Sequence, residues 1–571
     1  MEESKAVQRY TTWINTKNTD PTLRRELLNI ISSPEEIESR FDEDLDFGTA
    51  GIRAVMGAGT SRINIYTIAA AAKGFAKTLN EAEEETGSVV ISYDSRHHSK
   101  EFAETAARVL AGSGISVLLS DSLRPVPMLS FAVRYYQAAG GVMITASHNP
   151  KEYNGMKVYG KSGGQLTPAE AAEVRANIPA FPELMNVLDE APSMEEALES
   201  EKIRYIGAKW DDAYNDMLKD ISESHLLADE VKERIRIVYS PMNGSGAEPV
   251  RRILNGLGYR RVFLVSEQEK PDGDFPTLRV PNPEYEDSFE LAKKYARAVL
   301  ADVIIATDPD SDRLGVAVPD NNGDYKMLTG NQVGIMLMEY ILSAKSSHGE
   351  LKDNSFCVTS IVSSRLSRLI CRRYGVELVE TLTGSKYASE CIRSKTEEGA
   401  HFLFGFEEGN GYLFNSGVRE KDAVAACVAI AEMAAVSKSY GMKLTDQLTS
   451  IYRLYGYAAE KSFSITLEGA EGRRAIERCM NYYRMLKGKL GALGADLYYK
   501  DVKKFIDKMP EANVLVYELN DLDWIAIRPS GTEPKLKIYF GFYGEKFAAE
   551  NRLSRISQLL LKDINTVLSE E

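Results

Sequence analysis

The chain is sparing with cysteine. It has five, Cys357, Cys371, Cys391, Cys427 and Cys479, none in CxxC spacing. So odd and scattered a set argues against a disulfide framework and for buried, reduced thiols in a cytosol. Basic charge is also in deficit: 69 Lys and Arg stand against 83 Asp and Glu, a formal net charge of -14. That argues against general nucleic-acid or anionic-membrane binding, but a local basic pocket for a phosphorylated substrate remains open. No long apolar run is present. The most apolar helix candidate, residues 423–436, is short and interrupted by Glu432, so a buried core helix is expected there and no membrane span. The acidic opening Met1-Glu2-Glu3-Ser4-Lys5 lacks an apolar stretch, so no secretory signal is expected and the location expected is cytoplasmic. There is no low-complexity linker, and no GxxxxGK[ST] loop of the kind a kinase would show.

What is present is ordinary globular composition, 44% hydrophobic and 27% charged, which excludes a disordered chain. At 571 residues it is too long for one core, and about three or four domains are expected. Strand-like and helix-like segments alternate in three successive runs. The first covers residues 88–147, the second 236–308 and the third 356–407. Each run ends in an apolar strand followed by a polar loop, the place where open α/β sheets bind ligands. After about residue 443 the pattern changes to helices followed by strands at 514–517, 524–527 and 536–540, and a last helix near 547–561. The expected fold is α/β: three similar mixed α/β domains and a smaller C-terminal α+β domain around a central cleft. Boundaries are expected at 1–205, 206–325, 326–443 and 444–571.

The loops at the strand ends carry chemistry. Thr145-Ala146-Ser147-His148-Asn149-Pro150 puts a serine beside a histidine on a turn. Alone, that serine is as much a turn residue as a phosphoryl carrier. Tyr153-Asn154-Gly155-Met156-Lys157 then suggests a tight turn with a cation close by. Asp308, Asp310 and Asp312 alternate along one loop, hard oxygen ligands at a spacing that suits Mg²⁺ or Ca²⁺. An EF-hand is excluded, because its sixth position would be Arg313 and its twelfth Pro319. Glu407 and Glu408 sit among glycines, where a carboxylate can accept hydrogen bonds from vicinal sugar hydroxyls. Arg528-Pro529-Ser530-Gly531-Thr532 offers a guanidinium, two hydroxyls and backbone N–H groups, the donors that a phosphate dianion needs.

These segments, with Phe47-Gly48-Thr49-Ala50-Gly51-Ile52-Arg53 and Tyr93-Asp94-Ser95-Arg96, occur in the order of the α-D-phosphohexomutase superfamily, the phosphoglucomutase and phosphomannomutase enzymes, which the chain resembles over most of its length. The resemblance implies a four-domain fold and a phosphoserine mechanism. Ser147 would carry the phosphoryl group, and Asp308, Asp310 and Asp312 would hold Mg²⁺ with an oxygen from Ser147. Arg53, His148 and Lys157 would serve proton transfer and charge stabilisation, with Arg313 beside the metal. Glu407 would bind sugar hydroxyls and Lys386, in Thr383-Gly384-Ser385-Lys386, would help hold the substrate. Arg528, Ser530, Gly531 and Thr532 would bind the non-reacting phosphate. Three carboxylates and a phosphoserine exceed one Mg²⁺ by about three negative charges, which Arg53, Lys157 and Arg313 are expected to offset.

The implied activity is interconversion of glucose 1-phosphate and glucose 6-phosphate through glucose 1,6-bisphosphate. Two departures bear on the sugar: Gly409 stands where the family often has serine, and Ser385 where it often has an aromatic residue. Phosphomannomutase and phosphopentomutase activities therefore remain alternatives, the branch that includes phosphopentomutase-active members being the nearest in appearance. A non-catalytic sugar-phosphate binder is the distant one.

Overall fold

The structure, a computed structural model, describes every residue except 1–3, 18, 49–50, 83–86, 223–226, 321, 416, 468, 491–494, 497, 503–510, 531–534 and 570–571. The chain forms two compact units. One comprises Met1–Thr329, Ser389–Glu398 and Gly409–Lys443; the other comprises Gly330–Ala388, Gly399–Glu408 and Leu444–Glu571.

The first unit contains two sheets. In the six-stranded one, β1 (Ile52–Val55), β2 (Val89–Tyr93), β3 (Val117–Ser120), β4 (Gly140–Ile144), β5 (Tyr153–Gly160) and β6 (Ile203–Ile206) stand in the order β1-β5-β4-β2-β3-β6. The central β2 is buried at every residue and pairs in parallel with β3 and β4. A β-branched run buried on both faces is what a strand covered by helices on each side requires. The five-stranded sheet is built from β7 (Arg236–Ser240), β8 (Arg261–Leu264), β9 (Val303–Thr307), β10 (Leu314–Pro319) and β11 (Tyr325–Leu328), ordered β11-β10-β9-β7-β8. Downstream in the same unit, β15 (Gly411–Leu413) leads to the helix Ala423–Ser439, which is buried along nearly its whole length as its composition predicts. Among the described residues no single helix is long and apolar enough to cross a membrane.

In the second unit β12 (Ser355–Ser360) pairs in parallel with β13 (Glu377–Thr381) and with β14 (His401–Glu407). β16 (Tyr457–Thr466), β19 (Tyr498–Asp501), β20 (Leu515–Glu518), β21 (Trp524–Pro529) and β22 (Lys535–Gly544) form a wholly antiparallel sheet in the order β16-β22-β21-β20-β19. β17 (Lys489–Leu490) and β18 (Ala495–Asp496) make a separate ribbon. The α/β alternation and the antiparallel character of the C-terminal strands agree with the sequence pattern.

Two features do not. The first 41 residues fold into three helices, Lys5–Asn15, Pro21–Asn29 and Pro34–Phe41. Their packing centres on Trp13, which is fully buried and lies edge-on to Phe41 at 5.7 Å and Tyr66 at 5.5 Å. The segment 153–157 is not a turn. It opens β5, which runs antiparallel between β4 and β1. Gly155 is there because strands approach closely: a Cβ on it would lie 2.4 Å from the Ile52 carbonyl oxygen and 3.0 Å from that of Thr145. Both contacts are backbone, so neither can yield cheaply. Gly155→Ala should therefore destabilise the chain by roughly 1–3 kcal/mol, seen as a lower denaturant midpoint; an unchanged midpoint would show that β1 can move away freely.

Candidate active site

Ser147 follows β4 with φ at 52°, a left-handed conformation that costs a residue with a side chain about 1 kcal/mol or more and needs support. Arg96 supplies it. Its Nη1 donates to the carbonyls of Pro150 (2.8 Å) and Tyr153 (3.0 Å), and its Nη2 to those of Ser147 and Asn149 (2.5 Å each). Asp94 sits 3.4 Å from Arg96 Nε, both side chains being fully buried. It also accepts from the Thr145 hydroxyl at 2.6 Å, and Thr145 Oγ1 accepts from the Ser147 N–H at 2.7 Å. One buried ion pair thus fixes both sides of the serine turn.

The serine hydroxyl donates to Asp308 Oδ2 at 2.7 Å and lies 3.1 Å from His148 Nδ1. Burial, then the positive charges of Arg313 and Arg53, hold the His148 pKa well below 6.5. The imidazole is therefore neutral near pH 7 and can accept a proton.

Ser147 faces a buried acidic turn between β9 and β10. One ligand oxygen from each of Asp308, Asp310 and Asp312 falls within 4.8 Å of the others. Burial raises the Asp308 pKa well above 3.8, and its neighbours Asp310 and Asp312 add to the effect. Asp310 Oδ1 and Asp312 Oδ1 are buried without a hydrogen-bond partner. Buried anionic oxygens are costly unless paired or bound to a metal. Two unpaired oxygens beside a third carboxylate and a serine hydroxyl fit a hard divalent cation with oxygen ligands.

The other oxygens of Asp310 and Asp312 are neutralised by lysines, while Asp308 Oδ1 accepts from the Asp312 and Arg313 N–H groups. Lys157, on β5, bonds Asp310 at 2.7 Å and Asp312 at 3.3 Å. Burial disfavours its charge, but these two carboxylates outweigh that and raise its pKa, so Lys157 is held as a cation between them. Lys421 bonds Asp312 at 3.3 Å. Sequence reasoning missed it; the signal was the charged run Arg419-Glu420-Lys421-Asp422 just before the apolar helix. Arg53 and Arg313 are deployed differently from the charge count. Arg53 donates to Asn149 Oδ1 at 2.9 Å, bracing the serine loop. Arg313 Nη1 pairs with Glu284 at 2.6 Å, while its Nε stands 3.8 Å from Asp312.

In the second unit Glu407, at the end of β14, accepts from the Gly384 N–H at 2.6 Å, which ties this carboxylate to the loop preceding Lys386. Burial pushes the Lys386 amine down to about 8, and its Nζ lies 4.8 Å from the Tyr387 ring centroid. Arg528, on β21, donates from Nε to the Tyr539 hydroxyl at 3.2 Å. The Ser530 N–H donates to the Lys535 carbonyl at 2.7 Å. Gly531 and Thr532 lie outside the described residues.

Three domain descriptions match this chain in succession: phosphoglucomutase/phosphomannomutase alpha/beta/alpha domain I at residues 44–183, domain II at 212–323 and domain III at 329–455. The chain belongs to the phosphoglucomutase/phosphomannomutase family. It is 36% identical over 541 residues to a phosphoglucomutase of Staphylococcus epidermidis, covering 92% of this chain and 96% of that one. Against a Staphylococcus aureus phosphoglucomutase it is 37% identical over 518 residues, 88% and 91% of the two chains. Two solved structures share the fold. A phosphoglucomutase/phosphomannomutase family protein from Burkholderia thailandensis superposes with TM-score 0.64 at 18% identity, covering 90% of this chain and 96% of the other. The open form of the Paramecium phosphoprotein pp63/parafusin gives 0.67 at 16% identity, covering 93% and 97%. Members of this family are phosphohexomutases, isomerases that act by phosphotransfer.

Next to Lys421, Asp422 caps the helix Ala423–Ser439, accepting from the Ala425 N–H at 2.9 Å, and both its oxygens lie 2.8 Å from the Tyr214 hydroxyl. Burial pushes its pKa from 3.8 up to about 6. Between those values the folded chain holds a proton that the unfolded chain has released. Its contribution to stability therefore declines as pH rises through that window and stays low above it. Asp422→Asn should remove this slope, so the variant gains on the parent by at most about 3 kcal/mol between pH 4 and pH 7. Urea unfolding at the two pH values checks it; an equal difference at both would refute the assignment.

Proposed function

We propose that this chain is a Mg²⁺-dependent phosphoglucomutase that interconverts glucose 1-phosphate and glucose 6-phosphate through a phosphoserine and glucose 1,6-bisphosphate. The observation that carries this reading is the Ser147 hydroxyl, 2.7 Å from Asp308 in a buried triad with two unpartnered carboxylate oxygens. Family membership with phosphoglucomutases at 36–37% identity supports it.

Ser147 Oγ holds the phosphoryl group. The bond from Oγ to phosphorus breaks as one forms to the free sugar hydroxyl, whose proton passes to a nearby base. His148, held neutral, suits that role. Asp308, Asp310 and Asp312 would hold Mg²⁺ with an oxygen from the serine side, and the ion would supply charge neutralisation for the transferring group. Lys157, Lys421 and Arg53 hold the remaining charge and the loop geometry, and Arg313 meets the substrate at the edge of the acidic turn. Glu407 binds sugar hydroxyls and Lys386 helps hold the substrate; Arg528, Ser530, Gly531 and Thr532 take the phosphate that does not react. Since one serine serves both ends of the sugar, the bisphosphate must turn end for end before its other phosphate returns to Ser147.

We further assign four domains with the boundaries 205, 325 and 443. The second boundary is better drawn after Leu328, because β11 pairs with β10. Cytoplasmic location fits five free cysteines.

Ser147→Ala should lower kcat at least roughly 1000-fold while phosphosugar still binds; a variant that turns over at the parental rate would end the phosphoserine mechanism. The same assay with glucose, mannose and ribose 1-phosphates, each with catalytic bisphosphate, should rank glucose first. Independently of activity, Mg²⁺ should raise the thermal midpoint of the parent and not that of Asp310→Ala. An equal shift in both would place the ion elsewhere.

A further inference from the structure

Arg313 closes the acidic turn, yet its shortest contact points away from it, to Glu284. The Nη1–Oε1 separation is 2.6 Å. Glu284 is held rigidly for a residue with a part-exposed side chain. Its N–H donates to Asn282 Oδ1 at 3.0 Å, and Asn282 itself is 2% exposed. The preceding Pro283 carbonyl packs against β10 so closely that a Cβ at Gly315 would lie 2.4 Å from its oxygen. Gly409 approaches the same carboxylate: a Cβ there would stand 3.3 Å from Glu284 Oε1, tighter than ordinary van der Waals contact. Gly409 is fixed as well. The Leu314 N–H donates to the Asn410 carbonyl at 3.0 Å, and Asn410 Nδ2 donates back to the Leu314 carbonyl at 3.1 Å. Two anchored backbones therefore converge on one carboxylate. Its second oxygen, Oε2, makes no hydrogen bond among the described residues, and the side chain is 31% exposed.

We propose that Glu284 is a substrate-reading residue, whose Oε2 accepts a hydrogen bond from a ring hydroxyl of the phosphosugar in the space that Gly409 leaves open. The proposal rests on the phosphohexomutase reading above. A bare carboxylate would repel a phosphorylated sugar, but Glu284 is already neutralised by Arg313, so it offers an acceptor at no net charge. A carboxylate can only accept. Such a site favours an unmodified hydroxyl, and it leaves an unpaired acceptor when that hydroxyl is missing. A side chain at 409 would press on Glu284 Oε1, which would have to give by a few tenths of an ångström.

The test uses the full chain and four substrates: glucose 1-phosphate and its 2-, 3- and 4-deoxy analogues. For the parent, loss of the hydroxyl that Glu284 reads should cost roughly 10- to 100-fold in kcat/KM, the worth of a hydrogen bond to a charged group. In Glu284→Ala the rate on glucose 1-phosphate should fall, and for that one analogue the penalty should shrink to within about threefold of none, since the contact is already gone. The other analogues should keep their parental penalties. A merely structural role, or one that acts only by orienting Arg313, would lower all four substrates by the same factor, and that result would overturn the proposal. Gly409→Ser supplies a second arm. Alone it should lower kcat/KM by crowding Glu284, and in Glu284→Ala/Gly409→Ser the serine hydroxyl should restore part of the lost discrimination. No interaction between the two substitutions would count against a shared space. Thermal midpoints of the variants exclude misfolding as the cause. If the parent itself fails to interconvert glucose phosphates, the mutase reading has failed; if it turns over normally and the penalties do not change, only Glu284 has been misassigned.

Discussion

Three aspartates buried on one turn repel one another, and much of the first unit is arranged to make that tolerable. Lys157 reaches in from β5 and Lys421 from the loop before the helix Ala423–Ser439, each toward Asp312. Helix starts supply the rest. The N–H of Val126, first residue of the helix Val126–Tyr135, donates to the Asp310 carbonyl at 2.9 Å, and that of Ala423 to the Ser311 carbonyl at 3.2 Å. First-turn N–H groups lack a partner within their own helix and carry the positive end of its dipole. Spending two of them on the acidic loop satisfies both elements at once. The Ser245 N–H adds a bond to the Pro309 carbonyl at 2.8 Å. The backbone of the loop is thus held from several sides, while two carboxylate oxygens stay unpartnered. Rigid backbone with two carboxylate oxygens free of hydrogen bonds is an arrangement that could hold a metal ion.

The serine loop solves a related problem with a different device. A left-handed serine is strained, and the strain holds only if neighbouring contacts over-determine it. Arg96 does this with four carbonyls, and Asp94 holds Arg96 in a setting from which water is excluded. Removing either partner would leave a buried charge alone, which costs far more than a surface pair is worth. Tyr93-Asp94-Ser95-Arg96 therefore acts at a distance of some fifty residues in sequence, setting where the Ser147 hydroxyl points without touching it.

Much of this was legible in the sequence, for a reason the strands make plain. β4, β9 and β14 are apolar runs that end at polar loops, and Ser147, Asp308 and Glu407 sit at or just beyond those ends. Residues that belong to such loops could be found by pattern. Residues that reach the site from elsewhere could not. Lys157 was found, but on the wrong local structure. Val158 and Tyr159 continue the segment as a strand, and the glycine that suggested a turn serves instead to let β1 and β5 approach. Lys421 was missed because it precedes an apolar helix and has no spacing relation to the aspartates. The three N-terminal helices were passed over, although Ala6, Tyr10 and Trp13 stand at helical spacing and bury on one face. Arg53 and Arg313 were identified as cations, but their partners, Asn149 and Glu284, depend on tertiary placement that no local rule supplies.

The charge count made from sequence had the right sign and left out one participant, Lys421. It paired the excess negative charge with Arg53, Lys157 and Arg313. The structure brings Lys157 and Lys421 to within 3.3 Å of Asp312, holds Arg313 between Asp312, at 3.8 Å, and Glu284, and sets Arg53 against the Asn149 amide oxygen. The distinction is physical. A lysine ammonium is a compact charge that fits between two carboxylates, whereas a guanidinium spreads its charge over a planar fork suited to bidentate contact with phosphate or carboxylate. Ammonium groups held deep in the turn leave the guanidinium groups nearer its edge, where a phosphorylated sugar would meet them. On the proposed reading the acidic turn sets where the phosphoryl group would be handled, and the arginines with their partners would bear on which sugar brings it.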